Sequence, residues 1–228
     1  QDVNDMWQYV VDGMIPAGNP NAGALKFKDL NGYLRDDSGN IVMVNGKPAY
    51  SGSPDGMIDE ADMIYKGNST PIPFSLNNSF EFGKFDVNVY FYGMFNNWQK
   101  NSTYTMFAGN LQNVALYGEN TLKSLANRWS YDNLNSSIPS IFAHVESTAA
   151  QRNGYYLEKA WFLRCDNVSL GYTFKTKKSN KYFSSLRVYA AARNLFVITP
   201  YSGSDPETDS QAAYPNSRTY TFGIDITF

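Results

Sequence analysis

Cysteine and histidine are almost absent: Cys165 and His144 stand alone among 228 residues. A single cysteine excludes a disulfide framework and any multi-cysteine zinc site. A single histidine excludes the usual histidine-based metal centres and most nucleophilic triads. Net charge is scarce too, since 19 Lys+Arg face 21 Asp+Glu. That balance provides no basic stripe, and no nucleic-acid partner is expected. No apolar run approaches the ~18–20 residues of a membrane-crossing helix. No P-loop, G-x-G-x-x-G or G-x-S-x-G motif occurs, so the common nucleotide and hydrolase signatures are missing. Without a credible nucleophile, dyad or metal triad, an enzyme is not expected. The opening Gln1-Asp2-Val3-Asn4 shows neither a start methionine nor the basic and apolar regions of a leader. The chain is therefore expected to be processed, or a piece of something longer.

What the chain has in quantity is aromatic residues, 17 Tyr, 15 Phe and 4 Trp, arranged with a period of two. Tyr220, Phe222, Ile224, Ile226 and Phe228 share one face of the last segment, opposite Thr219, Thr221, Gly223, Asp225 and Thr227. Phe85, Val87, Val89, Phe91 and Phe95 oppose Asp86, Asn88, Tyr90 and Tyr92. The same alternation runs through Ile72 to Phe82, Asn167 to Phe174 and Leu186 to Arg193, and more weakly around Trp7 to Met14. The pattern predicts an all-β chain of about six strands: Trp7–Met14, Ile72–Phe82, Lys84–Asn97, Glu158–Phe174, Leu186–Thr199 and Ser217–Phe228. Several exceed the usual 5–6 residues of a soluble strand and fit the ~9–11 that cross a bilayer.

The connections sort by length. Residues 15–71 and 98–157 form long connections, Gly83 marks a tight turn, 175–185 is short and polar, and 200–216 is intermediate. With antiparallel up-and-down strands the long ones share one end, which is the layout of an outer-membrane barrel. Such barrels need at least eight strands, because an open edge would strand N–H and C=O groups in hydrocarbon. About six strands therefore read as part of a larger barrel wall.

Several segments carry a family likeness. Phe162-Leu163-Arg164-Cys165-Asp166-Asn167-Val168-Ser169-Leu170-Gly171-Tyr172-Thr173-Phe174 resembles a strand motif of the SusC/RagA family of TonB-linked outer-membrane transporters. Leu186-Arg187-Val188-Tyr189 with Arg193-Asn194-Leu195-Phe196 is similar to that family's penultimate strand. Thr199-Pro200-Tyr201-Ser202-Gly203-Ser204-Asp205-Pro206-Glu207 resembles its following loop, and Arg218 to Phe228 its closing strand. Asn127-Arg128-Trp129-Ser130 and Trp7, Tyr9, Asp12-Gly13 and Ile15 add two earlier matches in the same order. The likeness covers only the family's C-terminal portion. It implies the last strands of a barrel of about 22, with residues 15–71 and 98–157 extracellular and 217–228 closing the wall. It further implies an outer membrane of a Gram-negative bacterium, with lipid around the wall. The expected activity is glycan or peptide import beside a SusD-like lipoprotein, driven by TonB through an N-terminal part not contained in this chain. The alternative is a soluble or surface-anchored β-domain that binds carbohydrate through loop aromatics.

Candidate sites follow from both sources. The resemblance implies that Tyr220, Phe222, Ile224, Ile226 and Phe228 serve as an assembly signal, and the alternation alone makes them lipid-facing. Asp29-Leu30-Asn31-Gly32 starts like an EF-type loop, and the continuation appears at Asp55-Gly56-Met57-Ile58-Asp59-Glu60-Ala61-Asp62. Joined, Asp29, Asn31, Asp55, Asp59 and Asp62, with the Met57 carbonyl, would offer oxygens to calcium or a similar hard cation. The insert between them holds Asn45-Gly46 amid apolar residues, a hairpin signal that would bring its ends together. Asp205, Glu207 and Asp209 are expected to be solvated. Trp98, Tyr104, Phe107, Tyr117, Trp129, Tyr131 and Phe142 either stack on sugars or fold the long loop onto itself. Cys165 is expected as a packed free thiol, and His144 carries no expected role.

Overall fold

The chain begins with short strands instead of the single long one that the alternation around Trp7 predicts. In the computed structural model, which describes residues 5–101, 122–140, 154–175, 182–208, 214 and 216–228, β1 (Asp5–Gln8) and β2 (Val11–Met14) pair with different partners. β2 pairs with β3 (Leu25–Phe27), while β1 pairs with β6 (Ile64–Asn68). Gly13, at φ +88°, interrupts the β2–β3 register between Val11 and Met14, a backbone conformation that other residues rarely adopt. The expected hairpin is present: β4 (Met43–Val44) and β5 (Lys47–Pro48) turn at Asn45 and Gly46, both with positive φ as a type I′ turn requires. These short elements lie in a unit formed by Gln1–Ser69 and Lys100–Glu158.

A second unit, Thr70–Gln99 and Lys159–Phe228, carries the long strands. They are β7 (Ile72–Phe82), β8 (Phe85–Phe95), β11 (Phe162–Lys175), β12 (Ser185–Ile198) and β13 (Thr219–Thr227). β9 (Trp98–Lys100) and β10 (Leu157–Lys159) form a small ladder of their own at the two ends of the long intervening connection. The five long strands make one antiparallel sheet in the order β13-β12-β11-β8-β7, so each pairs with its neighbour along this series. Among the described residues this sheet holds five long strands, and Trp7–Met14 pairs instead with short strands of the first unit. Tight or short links, 83–84 and 176–184, alternate with the longer 96–161 and 199–218, as the sorted connection lengths require.

Register gives the sheet two unlike faces. Phe80 on β7 lies opposite Val87, Val87 opposite Leu170, Leu170 opposite Ala190, and Ala190 opposite Phe222. The row one step along reads Phe82, Phe85, Tyr172, Val188 and Ile224. Because side chains alternate along each strand, these rows share one apolar face. Much of it is bare: Phe82 is 84%, Phe222 83% and Ile224 64% exposed. A contiguous exposed apolar face of this extent marks an interaction surface. The opposite face carries Ser75, Asn77, Glu81, Asp86, Asn88, Tyr90, Tyr92, Arg164, Ser169, Arg187, Arg193 and Asp225, so it is mostly polar, with Met94, Phe162 and Ala191 as apolar members. β11 also has a register shift between Cys165 and Asn167, against both neighbours. Asn194 on β12, at φ +50°, answers it.

Candidate functional site

The polar face is organised by two arginines. Arg187 on β12 grips Asp86 on β8 with Nε and Nη2, at 2.9 and 2.6 Å, and reaches Asp225 on β13 with Nη1 at 2.9 Å. Paired N–H donors on one carboxylate give this contact both strength and orientation. Gly171 on the intervening β11 makes it possible. A Cβ at that position would lie 2.4 Å from Asp86 Oδ1 and 2.6 Å from Arg187 Nε. Tyr189 lays its ring against the Arg187 guanidinium at 4.8 Å and covers Gly223.

Arg164 is the deeper centre, only 2% exposed. Its Nη2 donates to Asp205 Oδ1 at 2.8 Å, and Nη1 donates to Asn194 Oδ1. Nε is in ion-pair contact with Glu207 Oε2, which lies off the N–H direction. Tyr92 on β8 donates its hydroxyl to the Glu207 carboxylate at 2.9 and 3.0 Å. Asn194 then passes the connection on, its Nδ2 donating to the carbonyls of Asn216 and Ser217 at 2.6 and 3.2 Å. A guanidinium taken out of water must find charge and acceptors, and here it finds both. Asp205, expected to be solvated, is 4% exposed, and Glu207 is its partner at the same cation. Sequence reading missed this centre because the acids sit in a loop far from Arg164 along the chain. The available signal was an arginine at an inward position of an otherwise apolar strand segment.

Beside this centre opens a cavity of about 560 Å³. Tyr90, Tyr92, Asp166, Arg193, Ser217 and Thr219 help to line it. Tyr90 and Tyr92 stack, with ring centroids 6.0 Å apart and planes 27° from parallel.

The acidic loop lies in the other unit. The insert does bring its ends together, as the Asn45-Gly46 turn predicts: Asp55 and Gly56 donate their N–H groups to Asp29 at 3.2 and 2.6 Å. Asn31 accepts from Gly32 and Gly52 through Oδ1. Asp62, fully buried, accepts from Leu30 at 2.6 Å, Asn31 at 3.1 Å and Asp59 at 2.9 Å. Asp59 caps the short 3-10 turn Glu60–Asp62, accepting from Ala61, and Asp55 accepts from the N–H of Met57. Each of these five side chains turns at least one oxygen to a backbone N–H. Among the described residues no three His, Cys, Asp or Glu side chains come close enough to hold one metal ion.

Other expected residues fall as follows. Tyr220, Phe222, Ile224 and Ile226 line the apolar face of β13 and are 50–83% exposed, and Phe228 just beyond is 90% exposed. Cys165 is a buried free thiol. Trp129 is buried against Gly23 and packs edge-on to the exposed Tyr131, so it folds its loop. Trp98 sits under Lys159 Nζ at 5.6 Å. Tyr104, Phe107, Tyr117, Phe142, His144 and Asp209 lie outside the described residues.

Known proteins place this architecture. No family model matches the chain. TonB-dependent receptor SusC of Bacteroides thetaiotaomicron is 29% identical over 194 residues, 81% of this chain and 18% of its own length. TonB-dependent receptor P3 of Formosa agariphila is 25% identical over 190 residues, 76% of this chain and 18% of its own. Among solved structures, the RagAB peptide transporter superposes on 98% of this chain and 23% of its own, with TM-score 0.63 and 23% identity. The RagAB peptide importer in the open-open state gives TM-score 0.61 at the same identity, over 98% of this chain and 22% of its own. The chain thus spans about a fifth of the length of the curated relatives it matches. Its all-β antiparallel fold matches the barrel portion of TonB-dependent receptors, and over most of its length the chain is similar in sequence to SusC-type TonB-dependent receptors.

Proposed function

We propose that this chain supplies wall and loops to an outer-membrane, TonB-dependent nutrient importer of a Gram-negative bacterium. The observation that carries the reading is the segregation of the five-stranded sheet into one bare apolar face and one charged face. Hydrocarbon against the first and an aqueous lumen against the second satisfy both. The open edges of β7 and β13 call for further strands, since a lipid-embedded sheet has to close. Import of glycan or peptide, a SusD-like lipoprotein over the loops and coupling to TonB are carried over from the likeness to SusC and RagAB proteins. None of these steps needs covalent chemistry from this chain. The experiment is membrane fractionation of cells making the full-length protein, with growth on single nutrients in TonB-positive and TonB-negative backgrounds. Outer-membrane location and TonB-dependent growth are expected; location in the soluble fraction would sink the proposal.

Two narrower roles belong to the same reading. The exposed stripe Tyr220, Phe222, Ile224, Ile226 and Phe228 is proposed as the surface that barrel-assembly machinery reads. Replacing Phe222 and Ile224 by Ser then lowers surface levels of the full-length protein, and unchanged levels would remove the role. Cation binding by Asp29, Asn31, Asp55, Met57, Asp59 and Asp62 is proposed separately, because Asp55 and Gly56 fold onto Asp29 as an uninterrupted loop would. It requires the carboxylates to leave their backbone donors. Calcium titration calorimetry on the full-length protein decides it: heat that Asp29→Asn abolishes supports the role, and no heat refutes it.

A further inference from the structure

We propose that Asn31 is a self-modifying residue: its side-chain amide is set to react with the backbone nitrogen of Gly32, which converts Asn31 to aspartate or isoaspartate. The sequence holds three Asn-Gly pairs, Asn31-Gly32, Asn45-Gly46 and Asn153-Gly154. A glycine leaves the following nitrogen unhindered in each, so the sequence ranks them equal. Asn153 lies outside the described residues, and the structure separates the other two. At the β4–β5 turn, Asn45 has φ +52° and Gly46 φ +75°. The first central residue of a type I′ turn has ψ of about +30°, which points the next nitrogen away from that residue's own side chain. At Asn31 the reverse holds. The N–H of Gly32 donates to Asn31 Oδ1 at 3.1 Å. The Cγ that this nitrogen would attack lies one carbonyl bond beyond, so the two atoms are within about 4.3 Å of each other.

Three neighbours prepare the reaction. The Gly52 N–H donates to the same Oδ1 at 2.8 Å, where negative charge develops as Cγ becomes tetrahedral. Ser51 Oγ accepts from the Gly32 N–H at 3.2 Å, which offers the departing proton an acceptor. Asp55 packs so closely that a Cβ at position 32 would lie 2.5 Å from its Oδ2, which keeps that position a glycine. In the step itself the bond from Gly32 N to Cγ forms and the Cγ–Nδ2 bond breaks. Nδ2 leaves as ammonia with the proton that Gly32 gives up. Water then adds to either carbonyl of the succinimide and opens it to aspartate or isoaspartate. The net change is amide and water to acid and ammonia, with no oxidation or reduction. The product places one more carboxylate in a loop that already holds Asp29, Asp55, Asp59 and Asp62.

The test follows the full-length protein in detergent, at neutral pH, in water enriched in heavy oxygen. Peptides spanning Asn31 and Asn45 are quantified by mass spectrometry at successive times, with aspartate and isoaspartate separated by chromatography. Uptake of one heavy oxygen at Asn31 is expected, at a rate about tenfold or more above that at Asn45. Protein already converted at Asn31 but not at Asn45 on isolation supports the proposal equally. Ser51→Ala should slow conversion at Asn31 and leave Asn45 unchanged. Asn31→Gln, whose cyclisation needs a larger ring, should abolish conversion at that position. Unfolding in urea should bring the rates at the two asparagines together. An intact Asn31, conversion at Asn45 as fast as at Asn31, or a rate difference that survives unfolding overturns the proposal. The importer reading fails separately, through location and TonB dependence, and neither of those depends on Asn31.

Discussion

Two acid-rich segments, Asp29 to Asp62 and Asp205 to Glu207, are similar in sequence character and are used in opposite ways. The Asp29 segment has the composition of a cation loop, yet the oxygens of Asp29 and Asp62 are taken up by backbone N–H groups of Leu30, Asn31, Asp55, Gly56 and Asp59. The Asp205 segment has the composition of an ordinary solvated loop, yet it holds a cation, the guanidinium of Arg164. The difference lies in what surrounds each segment. A long loop folding on itself leaves many N–H groups without strand partners, and short carboxylates are the nearest acceptors to hand. A loop returning to the rim of a sheet meets whatever the strands present, and β11 presents an arginine. Spacing of acids alone does not distinguish an ion site from a scaffold.

The strongest way to break this comparison is to remove the internal cation. Arg164→Met leaves Asp205, 4% exposed, without its counter-charge. A loss of about 3–5 kcal/mol is expected for breaking one side of a buried pair. Denaturant unfolding of the full-length protein in detergent measures it, and the double change Arg164→Met/Asp205→Leu should recover part of the loss. A smaller effect is expected from Asp62→Ala, which strips three backbone N–H groups of their acceptor. About 1–3 kcal/mol is lost locally. Amide hydrogen exchange should accelerate over 30–31 and 59–62 while β11 stays protected; acceleration in both would mean the acids do not act locally. Gly171→Ala forces a methyl into the Asp86–Arg187 pair. An overpacking cost of about 1–3 kcal/mol is expected, against none if that pair can swing aside.

The smallest effect concerns pH. Hydrogen bonds from the backbone of Asn40 above all, with its side chain and Ser38, hold the exposed Asp36 carboxyl below its ordinary value. A lowered folded-state value means that the turn gains stability above the ordinary carboxylate range of about 3.9. That gain disappears as pH falls through the lower folded value. Exchange of the Ser38 and Asn40 amides, corrected for intrinsic rates, should lose protection only below that range, and Asp36→Asn should flatten the dependence.

Much of the wall is legible in the sequence because period-two patterning is a local property. β7 matches its expected bounds at Ile72 and Phe82, and the tight turn at Gly83 follows from the break in alternation. The Asn45-Gly46 hairpin is equally readable, since positive φ at both residues is a property of the dipeptide. Trp7–Met14 misleads because alternation over eight residues does not reveal that Gly13 breaks the register, nor that the two halves take different partners. The Arg164 centre is illegible for another reason. Its members Tyr92, Arg164, Asn194, Asp205 and Glu207 run from one end to the other of a stretch 115 positions long. They meet only once β8, β11 and β12 are in register. The motifs around Arg164, Asn194 and Asp205 each carry a family likeness, but likeness does not say that they touch.

The central claim is that one face of the sheet meets hydrocarbon and the other water. Spin labels placed singly on full-length protein in liposomes test it directly, at Leu76, Leu170 and Phe222 on one face and at Ser75, Ser169 and Thr221 on the other. Cys165, buried on the apolar face, is first replaced by Ser. The account predicts high oxygen and low aqueous nickel-chelate collision rates at the first three sites, with the reverse at the other three. Ready access of the chelate to Leu76, Leu170 and Phe222 would contradict it.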